Sequence, residues 1–206
     1  MHNDYNKLMK EQISCLDKIK PRLLVHVCCA PCSSACLSRL SAFDITLYYY
    51  NPNTYPLSEY DLRADEFKKF EENKKVLDIE NINYNFVKEN YNHNEFLSTI
   101  LGNENDIEGG KRCEKCIKLR LKQSFEYAKA NNFDYVTTTL TISPHKNAEY
   151  INKCGKELEQ IYGVKFLCCD FKKENGYLNS INLSKSLNLY RQDYCGCEFS
   201  IKKDNN

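Results

Sequence analysis

The chain has 206 residues, 42% hydrophobic and 28% charged, and its 29 Lys and Arg nearly balance 28 Asp and Glu for a net charge of +1. That length and apolar content predict one globular domain with a sizeable core, and the charge balance excludes a strongly basic whole-protein field, so nucleic-acid binding would need a local patch. The polar start leads into no signal-peptide core and the apolar stretch Leu23–Ala30 is far too short to span a bilayer, which predicts a cytoplasmic protein with no membrane partner.

Residues 1–21 read as an N-terminal extension, 22–200 as a single α/β domain and 201–206 as a frayed tail. Five short apolar runs read as strands: Arg22–Cys28, Asp44–Tyr50, Asn83–Lys88, Tyr135–Leu140 and Lys165–Asp170. They are rich in Val, Tyr, Thr and Phe and mostly continuous, as in a parallel sheet covered on both faces. Helical patterns alternate with them. Ser33 or Ser34 is placed to cap a helix directly after the first strand. Leu57–Asp78 carries a Ser58-x-x-Asp61 start, with Tyr60, Phe67, Phe70 and Leu77 on one side. Asn90–Gly110 is polar and weakly periodic, a loop or short-helix excursion. Cys116–Asn131 sets Leu121, Phe125 and Ala128 on one stripe, and Ile151, Cys154, Leu158 and Ile161 form the next, which assigns Cys154 to the core. The alternation predicts an α/β fold: a doubly wound, mostly parallel five-stranded sheet with helices on both faces.

Seven of the twelve cysteines fall into three tight clusters: Cys28-Cys29-Ala-Pro-Cys32, Cys113-Glu-Lys-Cys116 and Cys195-Gly-Cys197. In a reducing cytoplasm such groups read as metal ligands or redox thiols rather than structural disulfides. Zinc with four ligands fits seven cysteines poorly. Cys28, Cys29, Cys113 and Cys116 together complete the four thiolates that a [4Fe–4S] cluster takes. Adjacent cysteines on a strand point to opposite sides, so this set needs a turn at Cys28–Cys29. Gly196 gives Cys195 and Cys197 the freedom to approach, as an easily reduced disulfide or as two ligands of a second metal. Cys32 joins either group or packs. Cys15, Cys36, Cys154, Cys168 and Cys169 read as small hydrophobes.

In open α/β sheets, ligands sit beyond the carboxyl ends of the strands. Cys28 and Cys29, Tyr50–Asn53, the Ser143–Lys146 loop and Asp170 all fall there in this reading. Arg112 and Arg191 stand beside the sulfur sites as contacts for an anionic substrate or as groups that tune a cluster; Arg120 lies two turns on from Arg112, and Lys172 and Lys173 read equally as solvated charges. His145 ligates, donates a proton or hydrogen-bonds in its loop. No Walker or dinucleotide glycine loop follows the first strand, so nothing favours ATP or NAD.

Taken together, LLVHVCCAPCSS (23–34), YNPNTYPLSEYDLR (50–63), GGKRCEKCIKLRL (109–121), TTTLTISPHKNAE (137–149), DFKKENGY (170–177) and LYRQDYCGC (189–197) resemble the QueH-type epoxyqueuosine reductases, in order and over nearly the whole of 23–200. The resemblance implies a Rossmann-like, nucleotide-hydrolase-like domain. It implies cobalamin-independent reduction of the epoxide of epoxyqueuosine to queuosine at the tRNA wobble position, the last step in making that base. A [4Fe–4S] cluster on Cys28, Cys29, Cys113 and Cys116 is implied, with Cys195 and Cys197 as a redox-active pair or as ligands of a second metal ion, Fe or Zn. The partners implied are tRNA carrying epoxyqueuosine and an unidentified electron donor. Asn51, Arg112, His145, Lys146 and Arg191 are the substrate-binding candidates, with His145, Lys146 or Asp193 to supply protons and the tyrosines around Tyr48–Tyr60 to stack on anticodon bases. The competing expectation is a zinc-stabilised RNA-binding module. A tRNA sulfur-transfer enzyme is disfavoured, because Cys-Cys-Ala-Pro-Cys stands where its Ser-Gly-Gly loop would be.

Overall fold

The computed structural model describes residues 3–17, 19–73 and 83–201. Its five-stranded sheet runs β3-β2-β1-β4-β5, with every neighbouring pair parallel. The strands are β1 (Arg22–His26), β2 (Asp44–Tyr49), β3 (Tyr84–Lys88), β4 (Tyr135–Thr138) and β5 (Lys165–Phe166). The helices are α1 (Tyr5–Ser14), α2 (Ala30–Leu37), α3 (Leu57–Asn73), α4 (His93–Ile100), α5 (Lys111–Ala130), α6 (Ala148–Tyr162) and α7 (Gly176–Ser186).

The period-two alternation of β1 divides the core. Leu23 and Val25 join Ile45, Leu47 and Tyr49 against α2 and α3, with Met9 of α1 and Leu187 beyond α7. Leu24, Tyr48 and Val136 face the other way, onto Ile117, Leu121, Phe125 and Ala128 of α5 and Ile151, Cys154 and Leu158 of α6. Helices therefore cover both faces, as the doubly wound pattern predicts. Burial of a side chain such as Phe125, fully enclosed, contributes about 2–3 kcal/mol.

Several local expectations need correction. The strands are shorter at their carboxyl ends: β1 stops at His26, β4 at Thr138 and β5 at Phe166. Neither Ser33 nor Ser34 caps α2. Cys29 is the N-cap, Pro31 sits in the first turn, and the two serines donate from inside the helix to the Cys29 and Pro31 carbonyls at 2.9 Å each. α5 begins at Lys111, ahead of the Cys116 start read from the sequence, so both of its motif cysteines ride on one helix. The Asn90–Gly110 tract contains α4, and α1 and α7 had no sequence signal strong enough to place them. Ile161 is 67% exposed in the last turn of α6, which ends at Tyr162 before the left-handed C-cap Gly163. Leu77 and the end of the 57–78 helix lie outside the described residues.

α1 docks on the edge of the sheet. Its Asp4 Oδ1 accepts from the backbone N–H groups of Asn6 and Lys7, both at 3.1 Å. Gln12 bridges the strand exit, donating from Nε2 to the Phe166 carbonyl at 3.0 Å and accepting from the Cys168 N–H at 2.9 Å.

Candidate metal centre

The chain turns directly after β1, which is what adjacent cysteines require to share a site. Cys28, Cys29 and Cys32 bring their sulfurs within 4.8 Å of one another. Hydrogen bonding from the Cys29 and Cys32 thiols, assisted by Arg120, holds the Cys28 thiol well below its usual pKa. Cys29 is pushed up to about 12, first by giving its hydrogen bond to Cys28 and then by burial.

A second group forms where α5 meets the C-terminal segment. Cys113, Cys116, Ile117 and Arg120 lie at i, i+3, i+4 and i+7 on one face of α5, and with Arg112, Phe96, Lys146, Cys195 and Cys197 they line a cavity of about 20 Å³. That is room for about one water and not for a nucleoside. Phe96 and Ile100 of α4 pack with Cys116 and Cys197 to form its apolar wall. The Gly109 N–H donates to Cys113 Sγ at 3.2 Å. Burial raises Cys116 to about 11 and Cys197 to about 12. Lys146 Nζ donates to Cys195 Sγ at 3.1 Å and lies 3.6 Å from Glu108 Oε1. Burial pulls this ammonium's pKa down, but the Cys195 sulfur pulls it up further, and the balance lies above the usual lysine value.

The seven motif cysteines thus stand as three plus four: Cys28, Cys29 and Cys32 in one group, Cys113, Cys116, Cys195 and Cys197 in the other. All twelve cysteines are free thiols.

A family model described as epoxyqueuosine reductase QueH matches residues 23–203. The chain belongs to the QueH family. A protein named epoxyqueuosine reductase QueH from Streptococcus pyogenes serotype M1 is 39% identical over 204 residues, covering 97% of this chain and 78% of the relative. Those of the same name from Staphylococcus epidermidis and Thermotoga maritima are 36% and 37% identical, covering 97% and 87% of this chain and 85% and 90% of theirs. Among the described residues, no helix of this QueH-family chain is long and apolar enough to cross a membrane.

The substrate-binding candidates scatter. Lys146 and Arg112 line the sulfur cavity. Arg112 Nη1 is tied to the Glu104 carbonyl at 2.6 Å, its guanidinium stacks on Phe199, and its buried Nε has no partner. Asn51 is buried and makes internal bonds only: Nδ2 donates to the Val27 carbonyl at 2.9 Å and Oδ1 accepts from Arg120 Nη2 at 2.5 Å. His145 and Asp193 are exposed and lie outside the cavity lining. Arg191 is half-buried against α7, stacked on Tyr177 and 3.4 Å from the Ser180 carbonyl. Tyr48, Tyr49, Tyr50 and Tyr60 are core residues; in that stretch only Tyr55, 43% exposed, is free to meet a base. Lys172 pairs with Asp170 at 2.6 Å.

Three contributors escaped the sequence reading. His26 is fully buried, 2.9 Å from Thr138 Oγ1 through Nδ1, and its Nε2 accepts from Arg120 Nε at 3.3 Å. Burial, then the neighbouring Arg120 charge, drives its pKa to about 3, so the ring is neutral. A signal existed: His26 ends β1 two residues before Cys28, on the same face. Arg63 is buried under the C-terminal loop, with Nε on Glu59 Oε1 at 2.7 Å and Nη1 donating to the Cys195 carbonyl at 3.2 Å. Gln192, three residues before Cys195, acts to lower the Cys29 pKa. Neither of these last two long-range contacts leaves a trace in local sequence.

Proposed function

We propose that this chain reduces the epoxide of epoxyqueuosine in tRNA to queuosine, without cobalamin, using a [4Fe–4S] cluster held by its motif cysteines. The gathering of seven soft thiols from three distant segments into two groups, one of three and one of four, carries the reading, beside membership of a family named for this activity. The donor set fits such a group: among the described residues the metal-ligating side chains of the cavity lining are the thiols of Cys113, Cys116, Cys195 and Cys197, and the orphaned Arg112 Nε together with Arg120 favours an anionic occupant. Cys28, Cys29, Cys113 and Cys116 are the proposed ligands. When bound, the cluster supplies electrons one at a time from an external donor.

The reaction consumes two electrons and two protons, turns the epoxide into a carbon–carbon double bond and releases water. Cys195 and Cys197 match that stoichiometry. As two thiols they give up two electrons and two protons on forming a disulfide, which the external reductant then reopens. Lys146 holds a proton at Nζ beside Cys195. Phe96 and Ile100 keep water from the inner wall. The three-plus-four grouping favours a second division, with Cys28, Cys29 and Cys32 on one metal and the remaining four on the cluster.

The deciding experiment is iron, zinc and acid-labile sulfide analysis of anaerobically purified protein, followed by nucleoside analysis of tRNA carrying epoxyqueuosine after reduction. About four irons and four sulfides, with conversion to queuosine, are expected. Stoichiometric zinc without sulfide would make the chain a zinc-stabilised RNA-binding module instead. Cys32→Ala separates the divisions: it leaves metal content unchanged under the first and lowers it under the second.

A further inference from the structure

Two buried guanidiniums line the sulfur cavity, and among the described residues neither has a carboxylate partner. A buried cation is costly unless an opposite charge lies close by. Arg112 faces the C-terminal pair, where it acts on Cys197. Arg120 is different: one turn past Cys116 on α5 it lines the cavity of the second sulfur group, and its Nε reaches His26 Nε2 at 3.3 Å, two residues before Cys28 of the first.

Arg120 is 3% exposed, and its oriented partners are neutral. Asn51 Oδ1 accepts from Nη2 at 2.5 Å, and the Asn51 amide cannot turn away because its Nδ2 is committed to the Val27 carbonyl at 2.9 Å. His26 Nε2 accepts from Nε at 3.3 Å, with the ring's other nitrogen held by Thr138 Oγ1 at 2.9 Å. Two buried side chains from the ends of β1 and β2 thus fix the fork without neutralising it. The guanidinium lines the cavity together with Cys113, Cys116, Cys195 and Cys197.

Resting on the iron–sulfur reading above, we propose that Arg120 is a positioning residue that supplies the buried counter-charge for both cysteine groups and raises the reduction potential of the centre they hold. Added electron density on thiolate-held iron is stabilised by a fixed cation nearby in a dry site. Asn51 and His26 serve this reaction through Arg120 rather than by touching substrate.

The test is an anaerobic, dye-mediated redox titration of the loaded full-length chain, followed by its visible absorption, with iron and sulfide measured on the same samples. In Arg120→Gln the centre should become harder to reduce by at least tenfold in the oxidised-to-reduced ratio, about 59 mV for a one-electron couple. Arg120→Lys keeps the charge and should stay within threefold of the parent. Lys122→Gln, on the exposed side of the same helix, should not move it. A fully loaded Arg120→Gln at the parent potential overturns the inference. So does Arg120→Lys falling as far as Arg120→Gln, which would make shape the cause and not charge. Should Arg120→Gln fail to load, Arg120→Lys decides: loaded at the parent potential it upholds the charge role, and shifted tenfold it overturns it. Failure of both to load with unchanged thermal unfolding also overturns it, leaving Arg120 as an assembly residue. If the parent chain itself holds no iron and sulfide, the cluster reading falls, and the inference with it.

Discussion

Gly196→Ala isolates the device that holds the C-terminal cysteine pair. Gly196 has φ +97°, and a Cβ there would meet Arg63 Nη1 at 2.6 Å, Cζ at 2.9 Å and Nη2 at 3.0 Å. An arginine end usually swings aside, but this one is 2% exposed, ion-paired with Glu59 at 2.7 Å and bonded to the Cys195 carbonyl. The substitution combines about 1–2 kcal/mol of left-handed backbone strain with about 1–3 kcal/mol of overpacking. A loss near 3 kcal/mol follows, which for a domain of this size lowers Tm by about 9 °C. Gly163→Ala is the internal control. Gly163 also has positive φ, +72°, but no atom lies within 4 Å of its would-be Cβ, so only strain of about 1 kcal/mol and a Tm loss of about 3 °C are expected. Differential scanning calorimetry of the metal-free proteins measures both. Equal losses in the two variants would refute the close packing of Arg63 beneath Gly196.

Phe96→Ala removes the wall of the sulfur cavity, where Phe96 is fully buried against Ile100, Cys116 and Cys197, and should cost about 3–5 kcal/mol in urea unfolding. Lys146→Met should slow queuosine formation at least tenfold and, by losing a charge-assisted bond to Cys195 worth about 1.5–3 kcal/mol, lower Tm by about 5–9 °C; unaltered turnover would remove Lys146 from the chemistry. Stability should also fall at alkaline pH. Burial raises Cys154 to about 11 and Cys168 to about 12 from the usual value near 9, so the folded state favours the neutral thiols. That contribution is complete below pH 9 and is lost as pH rises toward 11 and 12, by up to about 1 kcal/mol per pH unit for each group. Chemical unfolding from pH 8 to 11 should show the decline, and Cys154→Ala should make it shallower by that residue's share.

The sheet was legible because its strands are continuous apolar runs punctuated by turn residues, and the parallel arrangement follows from their alternation with helices. Strand ends were not, since backbone conformation changes where the site begins: Val27 onward looks like β1 by composition yet turns to bring two cysteines together. Ser33 and Ser34 misled because capping preference is local, whereas the entry to α2 is set by the Cys28–Cys29 turn and Pro31. The cysteine clusters announced a soft-metal site, but spacing alone does not say how seven thiols divide. Cys32 joins Cys28 and Cys29 because α2 starts inside the turn and carries it back toward them. Arg120 was visible as a basic residue two turns past the start of its motif. Its role was not, because that depends on Asn51 and His26, 69 and 94 residues away.

Those long-range partners also explain why the C-terminal segment is ordered at the site. Tyr190–Cys197 forms no helix or strand, so its own backbone supplies little to fix the two sulfurs. Position comes instead from distant elements: Tyr55 N–H donates to the Gly196 carbonyl at 2.9 Å, Arg63 holds the Cys195 carbonyl, and His93 joins the Pro52 carbonyl at 2.7 Å to Glu198 at 2.8 Å. All three contacts come from segments that follow β2 or β3, at the carboxyl edge of the sheet. Lys146, from the loop after β4, completes the enclosure through Cys195. The last cysteines of the sequence are therefore placed by contacts from distant elements of the sheet, and a loop with no regular structure presents its thiols opposite α5.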